Sequence, residues 1–427
     1  MGVQDLERDG LIRPAEGAYV VDGVAARFVA MPRSVSEASQ VLRAAAADGL
    51  AVAFMGSGSK LGLGNPPERV DLVVLTGGLD QVLEHAAGDL VVRAQAGVRL
   101  ADLQAALAPA GQMLALDPPE PRATLGGVVA ANTSGPRRLR YGTVRDLLIG
   151  ITVVLADGTV ARAGGKVVKN VAGYDLAKLF CGSLGTLGMV AEVIFRLHPV
   201  PAAASVVTLG VEGPEQAGQA VARLRGSALE PCAVELTLDD WGWPGRLTTV
   251  FEGIQPGVEA QAAAAAELLG RVGEAAVAGP GQTEAALNEL GALPFEKAEY
   301  ALKAAFPPAE LAGVLDDLAG SRLRQGQWGG IRAHAATGVA WLASGLREGD
   351  APAGSPRFPA AVRQITEARE RLAARGGSLV LVKASPELKR AVDVWGPPGD
   401  AVGLMRRVKE RFDPGRRLGP GRFVGGI

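Results

Sequence analysis

Three loops rich in glycine and other small residues constrain the fold more than any other feature of this sequence. The first reads Gly56-Ser57-Gly58-Ser59-Lys60-Leu61-Gly62-Leu63-Gly64. The second spans residues 117–146, and the third spans residues 169–188. Glycine lets the backbone take positive φ and leaves no Cβ atom between the backbone N–H groups and a ligand. Such loops are typical of phosphate or pyrophosphate sites.

The first loop taken alone is also compatible with a tight surface turn. Its glycine spacing is neither Gly-x-Gly-x-x-Gly before a helix nor a Walker loop, which would end in Gly-Lys-Ser/Thr. Three such clusters in one order along the chain favour the ligand-binding interpretation.

Secondary-structure patterns place the three loops between short strands. Ser34 and Glu37 form a predicted capping box for a helix over 34–48 that ends before Gly49. Further patterns predict a helix over residues 100–107 and strands over residues 50–54, 71–75, 89–95 and 189–197. Two more predicted strands, over 150–155 and 159–163, flank Asp157-Gly158, which is a hairpin signal.

The pattern changes after Pro201. Short strands near 205–211, 232–238 and 246–251 alternate with alanine-rich helices near 214–225 and 257–272. This alternation predicts an α+β domain with an antiparallel sheet. At 427 residues, two domains are expected.

Composition limits the possible partners. The 45 acidic and 44 basic residues leave a net charge of −1, which disfavours nucleic acid. Cys181 and Cys232 lack metal-ligand spacing, so neither a disulfide framework nor a metal site is expected. No apolar stretch reaches 18 residues, so we expect a cytoplasmic protein without a transmembrane segment that is able to dock on a membrane complex.

Residues 32–201 resemble the FAD-binding domain of the vanillyl-alcohol-oxidase (VAO, or PCMH) type, and within it the glycolate oxidase group. The resemblance implies an α+β fold in which a two-lobed FAD-binding domain is followed by an α+β cap domain with an antiparallel sheet. The C-terminal Phe412-Asp413-Pro414 and Leu418-Gly419-Pro420-Gly421-Arg422 elements imply a segment that returns to the FAD domain. The expected organisation is an extension over 1–30, the FAD-binding domain over 31–201, the cap over 202–385 and the returning segment over 386–427.

The resemblance also implies which residues bind FAD. Met55 and Ser57 differ from the family pattern, but the backbone still supplies phosphate donors. Family members with covalent FAD carry a histidine where this chain has Ser59-Lys60, so noncovalent FAD is expected. The implied FAD-binding residues are Gly56, Ser57, Gly58, Ser59, Lys60, Leu61, Pro118, Thr124, Leu125, Gly126, Gly127, Asn132, Ser134, Gly135, Tyr141, Gly142, Arg145, Asp146, Gly188 and Val190.

Catalytic relatives carry histidines and a glutamate that bind a metal and orient a 2-hydroxy acid. Here His334 matches the first histidine, but Trp341 replaces the second, and Leu379-Val380-Leu381 follows Ser378 where a Glu-His pair is expected. Leu184 replaces a further glutamate. The resemblance therefore implies an FAD-binding subunit of a glycolate oxidase complex, with a catalytic FAD subunit and an iron–sulfur subunit as partners.

Two alternatives stay open: a self-sufficient FAD-dependent 2-hydroxy acid dehydrogenase, with Arg145, Lys169, Tyr174 or His334 in unfamiliar roles, and a noncatalytic assembly subunit. The catalytic residues are unknown from the sequence.

The remaining histidines, lysines and tryptophans give smaller expectations. His85 is expected to be solvated, as are Lys166 and Lys169, and His198 to be structural. His334 is either a buried packing residue or a polar wall of a flavin or cap cavity. The tryptophans at 241, 243 and 395 are candidates for an exposed apolar partner patch or for core positions.

Overall fold

A computed structural model describes residues 2–166, 175–239, 243–293, 298–319, 328–344 and 357–427. Lys169, Tyr174 and Trp241 lie outside the described residues.

The described strands are β1 (Ile12–Pro14), β2 (Val20–Val21), β3 (Val24–Ala25), β4 (Phe28–Ala30), β5 (Val52–Met55), β6 (Leu72–Leu75), β7 (Val82–Ala86), β8 (Val91–Gln95), β9 (Gln112–Met113), β10 (Leu148–Val154), β11 (Val160–Gly164), β12 (Met189–Arg196), β13 (His198–Pro199), β14 (Ala203–Val211), β15 (Ala233–Asp239), β16 (Gly245–Gly253), β17 (Ala275–Val277), β18 (Ala301–Ala305), β19 (Trp328–His334), β20 (Val339–Ser344) and β21 (Ser378–Lys383). The described helices are α1 (Val3–Arg8), α2 (Val35–Ala47), α3 (Leu100–Leu107), α4 (Leu125–Ala131), α5 (Arg138–Tyr141), α6 (Val144–Leu147), α7 (Ala177–Phe180), α8 (Pro214–Arg225), α9 (Gln255–Gly270), α10 (Pro280–Glu289), α11 (Leu311–Ala319), α12 (Arg357–Ala374), α13 (Pro386–Ala391) and α14 (Val402–Phe412). None of these helices is long and apolar enough to cross a bilayer.

The chain divides into two compact units. Unit 1 comprises Met1–Ser134, Gly142–Val200 and Pro397–Ile427. Unit 2 comprises Gly135–Tyr141 and Pro201–Gly396. The C-terminal helix α14 thus belongs to the same unit as the glycine-rich loops.

Unit 1 holds a four-stranded sheet in the order β1-β4-β6-β5 and a five-stranded sheet in the order β11-β10-β12-β8-β7. The pairs β4·β6 and β5·β6 are parallel, whereas every described pair of the five-stranded sheet is antiparallel. Because the carboxyl ends of parallel strands share one edge of a sheet, the residues that follow β5 and β6 come together there. These residues are Gly56 and Thr76.

Helix α2 lies close to its predicted position. The Ser34 hydroxyl accepts a hydrogen bond from the Glu37 backbone N–H at 3.1 Å, as an N-cap should. The Glu37 carboxylate accepts from the Arg33 N–H at 2.8 Å and not from Ser34. The predicted capping box is therefore only half formed.

Unit 2 is built on an eight-stranded sheet in the order β17-β14-β16-β15-β19-β20-β18-β21, and every described strand pair in it is antiparallel. Alternate residues of each strand, such as Leu236 and Leu238 of β15, pack in one hydrophobic core with α8, α9, α11 and α12. The intervening residues, such as Glu235 and Thr237, line a cavity on the opposite face. The α+β domain with an antiparallel sheet is confirmed.

A buried ion pair fixes the C-terminal segment in unit 1. The Lys409 ammonium donates to the Asp413 carboxylate and to the backbone oxygens of Thr186 and Leu418, each at 2.8 Å. The same carboxylate oxygen accepts from the N–H groups of Arg417 and Leu418, at 2.8 Å each. Only 3 % of the Lys409 side chain and none of the Asp413 side chain is exposed.

One smaller expectation was wrong. His85 is half-buried, and its Nε2 lies 2.8 Å from Gln112 Oε1, so it is a hydrogen-bonded residue and not a solvated one. Trp243 and Trp395 are partly buried and pack against the core of unit 2, which is the second of their two expected environments. Lys166 is exposed as expected and pairs with Glu84.

Replacing Lys409 tests the buried ion pair. Lys409→Met leaves the Asp413 carboxylate buried without its cation, and we expect the free energy of unfolding to fall by about 3 kcal/mol or more. The control is Arg271→Met, which breaks the exposed Arg271–Glu267 pair of α9 and should change it by less than about 1 kcal/mol. Urea unfolding measures both, and equal midpoints for the two variants would contradict the assignment.

Candidate functional site

The three glycine-rich loops contribute to one cleft in unit 1, which we call the glycine-loop cleft. It has a volume of about 110 Å³ and is partly open to solvent. Its lining residues are Val52, Ala53, Phe54, Met55, Gly56, Ser57, Gly58, Ser59, Lys60, Leu61, Thr76, Glu120, Ala123, Thr124, Gly126, Gly127, Val128, Ala130, Ala131, Thr133, Leu184, Gly185, Gly188, Met189, Val190, Gly419 and Arg422.

The first loop presents a row of backbone donors. In the described part of the chain, the N–H groups of Ser57, Gly58, Ser59 and Lys60 donate to no acceptor. Gly58 has φ +80°, a conformation that side chains rarely adopt, and its carbonyl accepts from the Leu61 N–H at 3.1 Å. Unpaired N–H groups that line a cleft favour an anion with several oxygen acceptors.

The loop lies against the start of helix α4. A Cβ atom on Gly56 would lie 2.2 Å from the Thr124 hydroxyl oxygen, so only glycine fits there. Thr124 is the N-cap of α4, and its hydroxyl accepts from the Gly127 N–H at 3.4 Å. Gly126 packs against Ala96, the residue that follows β8, since a Cβ on Gly126 would lie 2.7 Å from the Ala96 Cβ. These two glycines are therefore fixed by packing within the protein.

A buried hydroxyl adds to the donor set. Thr76 follows β6 and is 6 % exposed, and its Oγ1 has no hydrogen-bond partner among the described residues. Because a buried hydroxyl without a partner is costly, its position on the cleft wall indicates that a ligand supplies the missing bond. The amide row and the Thr76 hydroxyl fit the oxygens of a diphosphate, such as that of the dinucleotide FAD.

Among the described residues, three charged side chains line the cleft: Lys60, Glu120 and Arg422. Lys60 and Glu120 form an ion pair with each other. Arg422 is 5 % exposed, and its Nη2 donates to the carbonyls of Leu61, at 2.6 Å, and Leu63. Burial lowers the pKa of the Arg422 guanidinium, and Asp22 acts in the opposite direction. Arg422 thus holds the first loop from the C-terminal segment.

Eleven of the twenty residues predicted to bind FAD line the glycine-loop cleft. They are Gly56, Ser57, Gly58, Ser59, Lys60, Leu61, Thr124, Gly126, Gly127, Gly188 and Val190. The sequence interpretation did not include Thr76, Glu120 or Gly185 in this set. Gly185 belongs to the third glycine-rich loop, so its sequence context was a reason to include it. Its φ of +76° and the 2.7 Å distance from a would-be Cβ to Phe54 require glycine at this position.

The other predicted residues of unit 1 support the backbone around the cleft. Asn132 ends α4 with φ 48°, and the buried Ser134 hydroxyl accepts from the Val144 N–H at 3.0 Å. The Asp146 carboxylate accepts from the Thr143 N–H and hydroxyl, at 2.7 Å each. Outside the cleft lining are Pro118, Leu125, which is fully buried, Asn132, Ser134, Gly142 with φ +84°, Arg145 and Asp146.

The last two predicted residues, Gly135 and Tyr141, belong to unit 2. The Tyr141 hydroxyl donates to Glu252 Oε2 at 3.1 Å, and Arg137 donates to Glu252 Oε1 through Nε at 3.0 Å and Nη2 at 2.7 Å. Burial and the Glu252 charge raise the pKa of Tyr141 to about 12. This phenol therefore stays protonated and anchors the 135–141 segment to β16.

A second cavity, which we call the cap cavity, lies on the polar face of the unit 2 sheet and has a volume of about 280 Å³. Glu235 and His334 are cross-strand neighbours there, and His334 Nδ1 lies 2.8 Å from both carboxylate oxygens. The imidazole packs edge-on against Trp341 with ring centroids 4.5 Å apart. His334 is 4 % exposed and also lines the cavity, so both of its expected environments are present.

The positions that carry the Glu-His pair in catalytic relatives are apolar and packed. Leu379 is 2 % exposed and Leu381 is fully buried, both in the core of unit 2. Val380 is partly buried against the same core. In the described residues, no group of three or more His, Cys, Asp or Glu side chains is arranged to hold a metal ion.

Sequence comparison connects the cleft with FAD. Residues 26–164 match the FAD binding domain family. The chain is 36 % identical over 208 residues to glycolate oxidase subunit GlcD of Bacillus subtilis, covering 48 % of this chain and 44 % of that protein. It is 39 % identical over 163 residues to glycolate oxidase subunit GlcE of Escherichia coli, covering 37 % and 45 %.

A third relative is the mitochondrial D-lactate dehydrogenase [cytochrome] 1 of Saccharomyces cerevisiae, 32 % identical over 213 residues, with 49 % of this chain and 36 % of that protein covered. The chain thus spans less than half the length of each of these three relatives.

Structure comparison extends over nearly the whole chain. Two solved structures of alkyldihydroxyacetonephosphate synthase superpose on 93 % of it with TM-scores of 0.69 and 0.68, at 19 % and 18 % identity, and 76 % and 77 % of those chains are covered. At such identity the likeness concerns the fold alone. The predicted PCMH-type FAD-binding fold with α+β units is confirmed. Residues 26–164 form an FAD-binding domain, and FAD is the cofactor of this protein.

Proposed function

We propose that this chain is the FAD-binding subunit of a glycolate oxidase or dehydrogenase complex that oxidises glycolate, or a related 2-hydroxy acid, to the 2-oxo acid. The similarity to two glycolate oxidase subunits and to a D-lactate dehydrogenase supports the substrate class. In this proposal the main catalytic site belongs to a partner subunit.

One observation carries the subunit role. Removing a hydride from the α-carbon of a 2-hydroxy acid requires a base for the hydroxyl proton and a cationic site for the carboxylate. The positions that supply these groups in catalytic relatives are Trp341, Leu379 and Leu381 here, all packed within unit 2. Such side chains neither accept a proton nor bind a metal.

The proposed role of unit 1 is to hold FAD. The N–H groups of residues 57–60 and the Thr76 hydroxyl bind the diphosphate, and Gly127 and Gly188 leave room for the cofactor. Bound FAD supplies a two-electron acceptor. We keep the full set of twenty predicted residues as the proposed FAD environment, together with domain bounds of 31–201 for the FAD-binding domain and 202–385 for the cap.

The proposed partners are a catalytic FAD subunit and an iron–sulfur subunit. Cluster ligation requires thiolates, and this chain has only Cys181 and Cys232. Burial raises the pKa of Cys181 to about 11, and it raises the pKa of Cys232 well above its usual range. Both thiols stay protonated at neutral pH, so a partner would supply the cluster. We place the complex in the cytoplasm, where it can associate peripherally with the membrane.

The cap cavity favours a second candidate, a self-sufficient 2-hydroxy acid dehydrogenase. The Glu235 carboxylate orients the His334 imidazole in the manner of a carboxylate that positions a general base. Arg332, Arg246 and three threonines line the same cavity and could bind a small carboxylate. A third candidate, a noncatalytic assembly subunit, predicts that FAD contributes nothing to turnover.

The first prediction concerns the FAD linkage. FAD should copurify with the chain and be released by acid or heat, because Ser59 and Lys60 stand where covalent relatives carry a histidine. Absorbance of the supernatant after precipitation measures the released flavin. Flavin that stays with the denatured polypeptide would show a covalent bond.

The second prediction tests the glycine-loop cleft. Gly127→Val should reduce FAD occupancy at least tenfold, because its side chain enters the cleft and its Cβ meets only the Thr124 hydroxyl, at 3.0 Å. The control is Gly270→Val at the end of α9, where an added Cβ meets nothing within 4 Å. The ratio of flavin to protein absorbance measures occupancy, and full retention in Gly127→Val would remove this loop from the site.

The third prediction concerns the isolated chain. With an artificial electron acceptor, it should oxidise glycolate or lactate at least 100-fold more slowly than the complex, because loss of a positioned base alone costs about 10² to 10⁴ in rate. Trp341→His should not restore turnover, since the Glu-His pair is still absent. Anaerobic addition of glycolate to the flavin-loaded chain gives the direct measurement.

The outcome of that titration separates the candidates. Unbleached flavin supports the subunit, whereas bleaching that is lost in His334→Ala and kept in His85→Ala would establish the self-sufficient dehydrogenase. No bound flavin at all would point to the assembly subunit.

A further inference from the structure

One wall of the glycine-loop cleft carries a negative charge, which is unexpected for a site that binds a diphosphate. FAD brings two negative charges, yet the wall contains a carboxylate, Glu120, whose side chain is only 16 % exposed. A fixed negative charge near a diphosphate opposes binding, and partial burial strengthens the effect because solvent screens it less.

Each cation of the cleft already has a partner. The Arg422 guanidinium donates to the Leu61 and Leu63 carbonyls. The Lys60 ammonium, with 31 % of its side chain exposed, pairs with Glu120. In the described residues no other charged side chain lines the cleft. Lys60 belongs to the loop whose N–H groups are unpaired, so its ammonium can also reach an anion held there.

We propose that Glu120 competes with FAD for the Lys60 ammonium, and that this ion pair lowers the affinity of the cleft for FAD. The pair is neutral as a unit, and the neutral backbone amides therefore carry most of the diphosphate. Removing Glu120 frees a cation for the phosphates, whereas removing Lys60 leaves an uncompensated anion beside them. The inference rests on the placement of the diphosphate at the glycine loop.

Titration of the flavin-free 427-residue chain with FAD tests the proposal through a dissociation constant and not through activity. Glu120→Gln should tighten FAD binding about tenfold, and Lys60→Met should weaken it about tenfold or more, the size expected for one partly screened charge near a phosphate. The double variant Lys60→Met/Glu120→Gln should lie within about threefold of the unmodified chain, because both changes together leave the net charge of the described cleft wall unchanged.

The Lys166–Glu84 ion pair of the same unit is a matched control, since it lies outside the cleft lining. Glu84→Gln and Lys166→Met should leave the FAD constant unchanged. Competition adds a second readout: the inhibition constant of ADP should shift with each Lys60 and Glu120 variant, and that of adenosine, which lacks phosphate, should not. Thermal midpoints of the flavin-free variants show whether each one folds.

Weaker FAD binding in Glu120→Gln, with an unchanged thermal midpoint, would overturn the proposal. The ion pair would then stabilise the binding conformation of the loop. An unchanged FAD dissociation constant in both single variants would also overturn the proposal, because the diphosphate would then lie away from the Lys60–Glu120 pair. If Gly127→Val loses FAD in that case, only this inference fails and the cleft stands. The subunit role is judged separately by the glycolate titration.

Discussion

The hydrogen bonds of one buried arginine fix the backbone of the first glycine-rich loop. The Arg422 guanidinium donates to the carbonyls of Leu61 and Leu63, about 360 residues earlier in the chain. A loop with this many glycines has a high conformational entropy, and its N–H groups converge only if something else fixes its carbonyls. The Lys409–Asp413 pair positions the segment that carries Arg422 by binding Thr186 and Leu418. The C-terminal residues Gly419 and Arg422 are therefore part of the glycine-loop cleft.

Unit 2 uses the same kind of interaction to incorporate a short distant segment. Arg137 and Tyr141 both donate to the Glu252 carboxylate, whose side chain is 3 % exposed. A charge at this depth is tolerated because both carboxylate oxygens have donors, one of them a guanidinium. Seven residues from the middle of the glycine-rich region thus join the sheet of unit 2.

Sequence patterns predicted the elements well where the determinants are local. The helices over 100–107 and 214–225 begin and end where the pattern placed them, and Asp157-Gly158 joins β10 and β11. The alternation of short strands with alanine-rich helices after Pro201 indicated the antiparallel sheet of unit 2. The interpretation was wrong, or had nothing to say, where a partner comes from far along the chain: Gln112 for His85, the sheet core for Trp395, Arg422 for the glycine loop. No local pattern carries that information.

Under the proposed subunit role, the FAD site and the hydroxy-acid site differ in how they respond to substitution. The glycine loop would bind FAD through backbone N–H groups, so replacements such as Met55 and Ser57 leave its donors in place. A hydroxy-acid site depends on imidazole and carboxylate side chains, and one substitution removes each of them. Once Trp341, Leu379 and Leu381 occupy those positions and pack, each stabilises the cap by burial, by about 2 kcal/mol for a leucine. Restoring a glutamate or histidine at Leu379 or Leu381 would bury a polar group in the hydrophobic core of unit 2. The packing of these two leucines therefore disfavours a Glu-His pair, whereas Trp341 lines the polar cap cavity beside His334.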